Sequence, residues 1–138
     1  MEDFHDMSPE DVGQRVLLAL GGFDEIEQVV LFGSLARGQA RIDSDVDVAV
    51  EATRPLTAEQ RLAMTEALAL ALGRTVDLVD LNAAGQPLLT QIVTTGVRLM
   101  GSDTAWARLL YRNILDNEDF VPLQRRILKA RQEAWIKT

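Results

Sequence analysis

The 138-residue chain contains no cysteine and only one histidine, His5. Without cysteine there is no disulfide framework, no thiolate zinc site and no cysteine nucleophile. A lone histidine builds neither a catalytic triad nor a histidine metal cluster, and His5 sits in a polar N-terminal stretch where a solvated side chain is expected. Lysine occurs only at Lys129 and Lys137, so arginine carries nearly all the positive charge. Arginine suits phosphate and carboxylate recognition. Acidic residues outnumber basic ones 21 to 14, giving a net charge of −7. That balance argues against direct nucleic-acid binding, which needs a basic footprint. It permits a basic protein partner or a divalent cation. The sequence also lacks a signal peptide and any run approaching about 18 apolar residues. A cytoplasmic protein with no membrane association is expected. Repeats, low-complexity tracts and interdomain linkers are absent as well, and the length suits one domain.

Apolar residues make up 47% of the chain, enough for a real core. Ser8-Pro9-Glu10-Asp11 reads as an N-cap, a proline at the first helical position and acids in the first turn. Val12, Val16, Ala19 and Leu20 follow at helical spacing, and Gly21-Gly22 stops the helix. Residues 27–32 predict a short buried strand, and 33–41 a loop or short helix. Residues 45–51 alternate strictly and predict a second strand. Thr57 caps a helix running to about Leu72, with Gly73 as its stop. Residues 75–81 predict a third strand. Pro87 opens a helix to about Thr95, ended by Gly96, and 97–100 predict a short fourth strand. From Thr104 onward the pattern is helical, divided near Asp119 to Pro122. Strands separated by helices make the class α/β: a small mixed sheet with flanking and C-terminal helices.

The chemistry concentrates in residues 31–50, LFGSLARGQARIDSDVDVAV. Strand side chains alternate faces, so Asp45 and Asp47 point the same way while Val46 and Val48 point into the core. The two carboxylates then lie about 6–7 Å apart along one open face. Like charges this close repel, and a divalent cation relieves the repulsion. Hard oxygen ligands favour magnesium, which takes one or two carboxylates plus substrate phosphates. An isolated Asp-x-Asp is more commonly a solvated face of an edge strand. Gly33-Ser34 shifts that balance. A strand ending in Gly-Ser offers backbone N–H groups and a hydroxyl with no Cβ at the glycine to block a phosphate. Gly-Ser, ten residues, then Asp-x-Asp should arise by chance in about one of several hundred chains this long.

These residues resemble the signature of the nucleotidyltransferase superfamily that includes DNA polymerase β. More closely they resemble the minimal nucleotidyltransferases (MNT) paired with HEPN-domain toxins. The resemblance covers roughly residues 26–101, through TVDLVDL and the helix after it. It implies one minimal nucleotidyltransferase domain over 1–138, with a core at about 8–101 and C-terminal helices at about 104–137. It implies that Gly33 and Ser34 hold a nucleoside triphosphate, with ATP as the family expectation. It implies that Asp45 and Asp47 bind two Mg2+ ions with a third carboxylate from a later strand. Asp77 and Asp80 are three apart and face opposite sides, so at most one joins the pair. Asp77, inside the strand, is the expected third ligand and proton acceptor; Asp80 is expected to be solvated near the strand end. Arg37 is a candidate for neutralising phosphate charge, Ser44 for a supporting role beside the pair, and Arg41 is a weaker candidate.

The activity implied is Mg2+-dependent transfer of AMP from ATP to a tyrosine of a cognate HEPN RNase toxin, neutralising it. A hetero-oligomer with that toxin follows, because antibiotic-modifying relatives use a further helical domain to complete the acceptor site. The alternatives are a small-molecule, aminoglycoside-like nucleotidyltransferase and a non-catalytic antitoxin acting by complex formation. Elsewhere, Trp106, Leu109, Leu110 and Ile114 have the spacing of a packed helix face. Tyr111 reads as an ordinary half-buried tyrosine, and QRRILKAR as a solvated basic helix face.

Overall fold

A computed structural model describes residues 8–36 and 45–117. The order is α1 (Pro9–Leu20), β1 (Ile26–Phe32), α2 (Gly33–Ala36), β2 (Val46–Ala52), α3 (Ala58–Leu72), β3 (Val76–Asp80), α4 (Leu88–Thr95) and β4 (Val97–Met100). A further helix, α5, covers 103–117. The expected division of the C-terminal helices near Asp119 and the QRRILKAR face lie outside the described residues, as does His5.

The helix starts follow from side-chain chemistry. Ser8 accepts from the Asp11 N–H at 3.2 Å, and the Asp11 carboxylate accepts from the Ser8 N–H at 3.3 Å. Thr57 and Gln60 make the same reciprocal pair at α3, at 3.1 and 2.9 Å. Each box satisfies N–H groups that have no partner within the helix, worth about 1 kcal/mol per cap. Gly73 ends α3 at φ 63°, the left-handed conformation that glycine adopts without penalty.

The sheet has the order β3-β2-β1-β4. β1 is antiparallel to both β2 and β4, whereas β2 and β3 are parallel and joined through α3. β2 is therefore an interior strand. Alternation along β1 divides the core in two. Val29 and Leu31 join Val46, Val48 and Val50 beneath α1 (Val12, Val16) and α3 (Met64, Leu68, Leu72). Val30 and Phe32 join Ala49, Leu81, Leu89, Ile92 and Leu109 on the opposite face, under α4 and α5. Buried Gln28 ties α5 to the sheet, donating to the Ala105 carbonyl at 3.2 Å and to Glu51 at 3.2 Å.

Helix α5 departs from its expected phase. Leu109 is buried and Trp106 packs against the core, but Leu110 and Ile114 are exposed. The buried line is instead Ala105, Leu109 and Asn113, spaced i, i+4, i+8. Asn113 accepts from Gln86 at 2.7 Å and from Thr90 at 2.9 Å, so a polar residue holds the seam against α4. Tyr111 is 63% exposed rather than half-buried.

Candidate active site

Phe32 ends β1 and Gly33 begins α2 directly beside the start of β2, because Phe32 is the antiparallel partner of Asp47. Gly33 adopts φ +80°. A Cβ on Gly33 would overlap the Asp47 carboxylate, lying 2.9 Å from its Cγ. Only glycine combines that backbone conformation with so close an approach to a carboxylate. Ser34 follows in α2 and is half-buried.

The parallel register supplies the rest. Val46 stands beside Val76, and Asp47 beside Asp77. Residues in register on neighbouring strands share a face at about 4.8 Å spacing, and i, i+2 residues share it along a strand. Asp45, Asp47 and Asp77 therefore occupy one face, at the carboxyl end of β1 and the amino ends of β2 and β3. Val46 and Val48 are fully buried on the other. Asp47 is half-buried, while Asp45 and Asp77 are exposed. An edge-strand origin for the Asp-x-Asp pattern is ruled out, since β2 is flanked on both sides.

This arrangement fits the chemistry of a hexacoordinate hard cation. Among the described residues no three metal-ligating side chains form a closed ion-binding cluster. Magnesium does not need one, because it keeps waters and takes phosphate oxygens from substrate. The pocket left by the missing Cβ of Gly33 keeps the Asp47 carboxylate close to the Gly-Ser turn, where a triphosphate would run.

Asp80 behaves differently from expectation. It is 4% exposed, with Oδ2 accepting from the Leu56 N–H and Oδ1 from the Asn82 N–H, each at 2.9 Å. The segment before α3 folds back over it, so it is a buried structural carboxylate rather than a solvated one. Facing the opposite side from Asp77, it leaves Asp77 as the carboxylate beside the pair. Arg37, Arg41 and Ser44 lie outside the described residues. Thr75 is a residue that the motif reading passed over: its hydroxyl donates to Asp45 Oδ1, and its carbonyl accepts from the Val46 N–H at 3.0 Å. Only the register of the two strands brings it out. Laid in parallel register, Thr75-Val76-Asp77 matches Asp45-Val46-Asp47 position for position.

A cavity of about 240 Å3, lined by Glu27, Glu51, Thr53, Asn82, Arg108 and Arg112 among others, opens at the other end of β1 and β2. It contains none of the expected site residues. Its charges answer each other, with Arg108 lying 3.7 Å from Glu27. No helix among the described residues is long and apolar enough to cross a membrane.

The family model described as polymerase beta nucleotidyltransferase matches residues 18–105, and the chain belongs to that family. A curated relative, the protein adenylyltransferase MntA of Shewanella oneidensis, is 40% identical over 78 residues. That match covers 56% of this chain and 56% of the relative, so the chain aligns with about half of that protein's length. Among solved structures, a chain from a toxin–antitoxin with AMP-PNP is 29% identical, with a TM-score of 0.69; the match covers 91% of this chain and 95% of that one. A chain from the tri-AMPylated Shewanella oneidensis HEPN toxin in complex with MNT antitoxin is 27% identical, with a TM-score of 0.59 and coverages of 94% and 96%. The α/β fold with its mixed sheet is thus that of the nucleotidyltransferases.

Proposed function

We propose that this chain is a cytoplasmic, Mg2+-dependent protein adenylyltransferase that transfers AMP from ATP to a tyrosine of a cognate HEPN RNase toxin and so neutralises it. The observation that carries this reading is the register of Asp47 with Asp77 beside a glycine whose backbone packs on the Asp47 carboxylate. Similarity to MntA and to chains of HEPN–MNT assemblies supports the acceptor class and a hetero-oligomer with the toxin. Similarity to the AMP-PNP complex supports a nucleoside triphosphate as donor.

In this reading Asp45, Asp47 and Asp77 hold two Mg2+ ions, which when bound neutralise phosphate charge and polarise the reacting oxygens. Gly33 and Ser34 seat the triphosphate through backbone N–H groups and the serine hydroxyl. Arg37 adds positive charge to the phosphates, and Ser44 has a supporting role beside the Asp pair. Asp77 accepts the proton of the attacking tyrosine hydroxyl. The tyrosine oxygen bonds to the α-phosphorus, the bond from that phosphorus to the bridging oxygen breaks, and pyrophosphate leaves. The exposure of Asp45 and Asp77 supports a reacting end at the surface, where a folded protein can present a side chain to it.

The test is intact mass spectrometry of the adjacent-gene HEPN protein after incubation with this chain, MgCl2 and ATP. The expected result is a mass gain of one or more AMP units, lost with Asp45→Asn. An unmodified but silenced partner in a stable complex would instead establish inhibition by contact. Neither modification nor complex, with pyrophosphate released on adding an aminoglycoside, would establish a small-molecule acceptor.

A further inference from the structure

The two parallel strands place four polar side chains on one face as two adjacent rungs: Asp47 beside Asp77, and Asp45 beside Thr75. Thr75 meets residues 45 and 46 twice. Its carbonyl accepts from the Val46 N–H at 3.0 Å, which fixes the backbone, and its hydroxyl donates to Asp45 Oδ1, which fixes the side chain. Asp45 lies just outside the strand and is exposed. An exposed carboxylate at the frayed entrance of a strand has free rotation at χ1 and χ2 unless something holds it. A hydroxyl can donate to one carboxylate oxygen and leave the other directed elsewhere. Valine in place of Thr75 would keep the β-branched shape and lose only that donor.

We propose that Thr75 is a positioning residue that orients the Asp45 carboxylate for divalent-metal binding, a role that rests on the metal-site reading above. Held through Oδ1, Asp45 keeps Oδ2 for a cation shared with Asp47, its neighbour on the same face of the strand. The hydroxyl also offsets part of the negative charge that the carboxylates concentrate there. Groups that orient metal ligands in this way change affinity by about 10–100-fold when removed. Because the Thr75 side chain is at the surface, its removal should leave the core undisturbed.

The experiment is calorimetric titration of the full-length chain with AMP-PNP over a series of Mn2+ concentrations, for wild type, Thr75→Val, Thr75→Ser and Asp47→Asn. The Mn2+ concentration giving half-maximal AMP-PNP binding is expected to rise about tenfold in Thr75→Val. Thr75→Ser, which retains the donor, is expected to restore the wild-type value. Melting temperatures in EDTA are expected to agree between wild type and Thr75→Val. A wild-type Mn2+ dependence in Thr75→Val, with the dependence lost in Asp47→Asn, would overturn the role of Thr75 and leave the metal site standing. A tenfold shift that Thr75→Ser does not reverse would assign the effect to backbone packing and also overturn the role. AMP-PNP binding by wild type that is indifferent to Mn2+ would overturn the metal site, and the assignment of Thr75 with it.

Discussion

Asp77 and Asp80 are three residues apart on one strand, yet their surroundings are opposite. Asp77 stands on the exposed end of β3 beside Asp47. Asp80 lies at the buried end, with both oxygens accepting backbone N–H groups. A carboxylate that is buried and tied to the backbone through both oxygens is shielded from solvent-borne ligands, and its work is structural. Carboxylates gathered on an open face are the hard oxygen ligands that a divalent cation takes together with substrate phosphates. The same side chain is therefore tied into the backbone at one end of the strand and, in the proposed function, serves chemistry at the other.

The largest effect that would break this comparison is on transfer. Asp47→Asn should lower AMP transfer about a thousandfold or more, since it removes a charge-stabilising ligand from the reacting centre. Single-turnover transfer of radiolabelled AMP to the toxin measures it, and a loss below tenfold would remove Asp47 from the metal site. Gly33→Ala comes next. The new Cβ cannot be placed without moving the Asp47 carboxylate, and φ +80° adds backbone strain of about 1–3 kcal/mol. Transfer should fall about a hundredfold, in keeping with a misplaced reacting group. An unaltered rate in a folded Gly33→Ala protein would show that the contact with Asp47 has no part in the site.

Asp80→Asn should do the reverse. An amide offers one acceptor oxygen where two N–H groups need partners, so one buried N–H is left facing an NH2. The expected cost is about 2–3 kcal/mol of folding stability, read from the urea midpoint. Transfer per folded molecule should stay within about twofold of wild type, since Asp80 faces away from the reacting carboxylates. An Asp80→Asn protein of wild-type stability and lost activity would invert the comparison.

Much of this contrast was legible in the sequence, and the reason it stopped where it did is physical. Caps, stops and strand alternation are local, and Ser8, Thr57, Gly73 and the Asp45–Asp47 phase follow from neighbours within a few residues. The facing rule put Asp77 and Asp80 on opposite sides of the strand, and the family resemblance chose Asp77. The burial of Asp80 was not legible, because its donors come from Leu56 and Asn82, and the first reaches it only when the segment before α3 folds back. Helix α5 misled for a related reason. Leu109, Leu110 and Ile114 are equally apolar, and the buried line runs through Ala105 and Asn113, whose role is set by Gln86, Thr90 and the sheet rather than by hydrophobicity. Thr75 was hidden until the register of β2 and β3 placed it against Asp45.

The smallest expected effect is also the sharpest. Asp45→Asn retains an oxygen that can accept from the Thr75 hydroxyl, so it removes charge while keeping the hydrogen bond. If the carboxylates at the amino ends of β2 and β3 repel one another, the variant should melt at the same temperature as wild type or a few degrees higher in EDTA, each degree being a fraction of a kcal/mol for a chain of this size. Added MgCl2 should raise the wild-type melting temperature and leave the variant unmoved, because ligand binding stabilises only the form that binds. Scanning calorimetry in EDTA and in MgCl2 reads both arms. A clear fall in the EDTA melting temperature would make Asp45 a structural carboxylate like Asp80, and the division between the two ends of the strands would have to be redrawn.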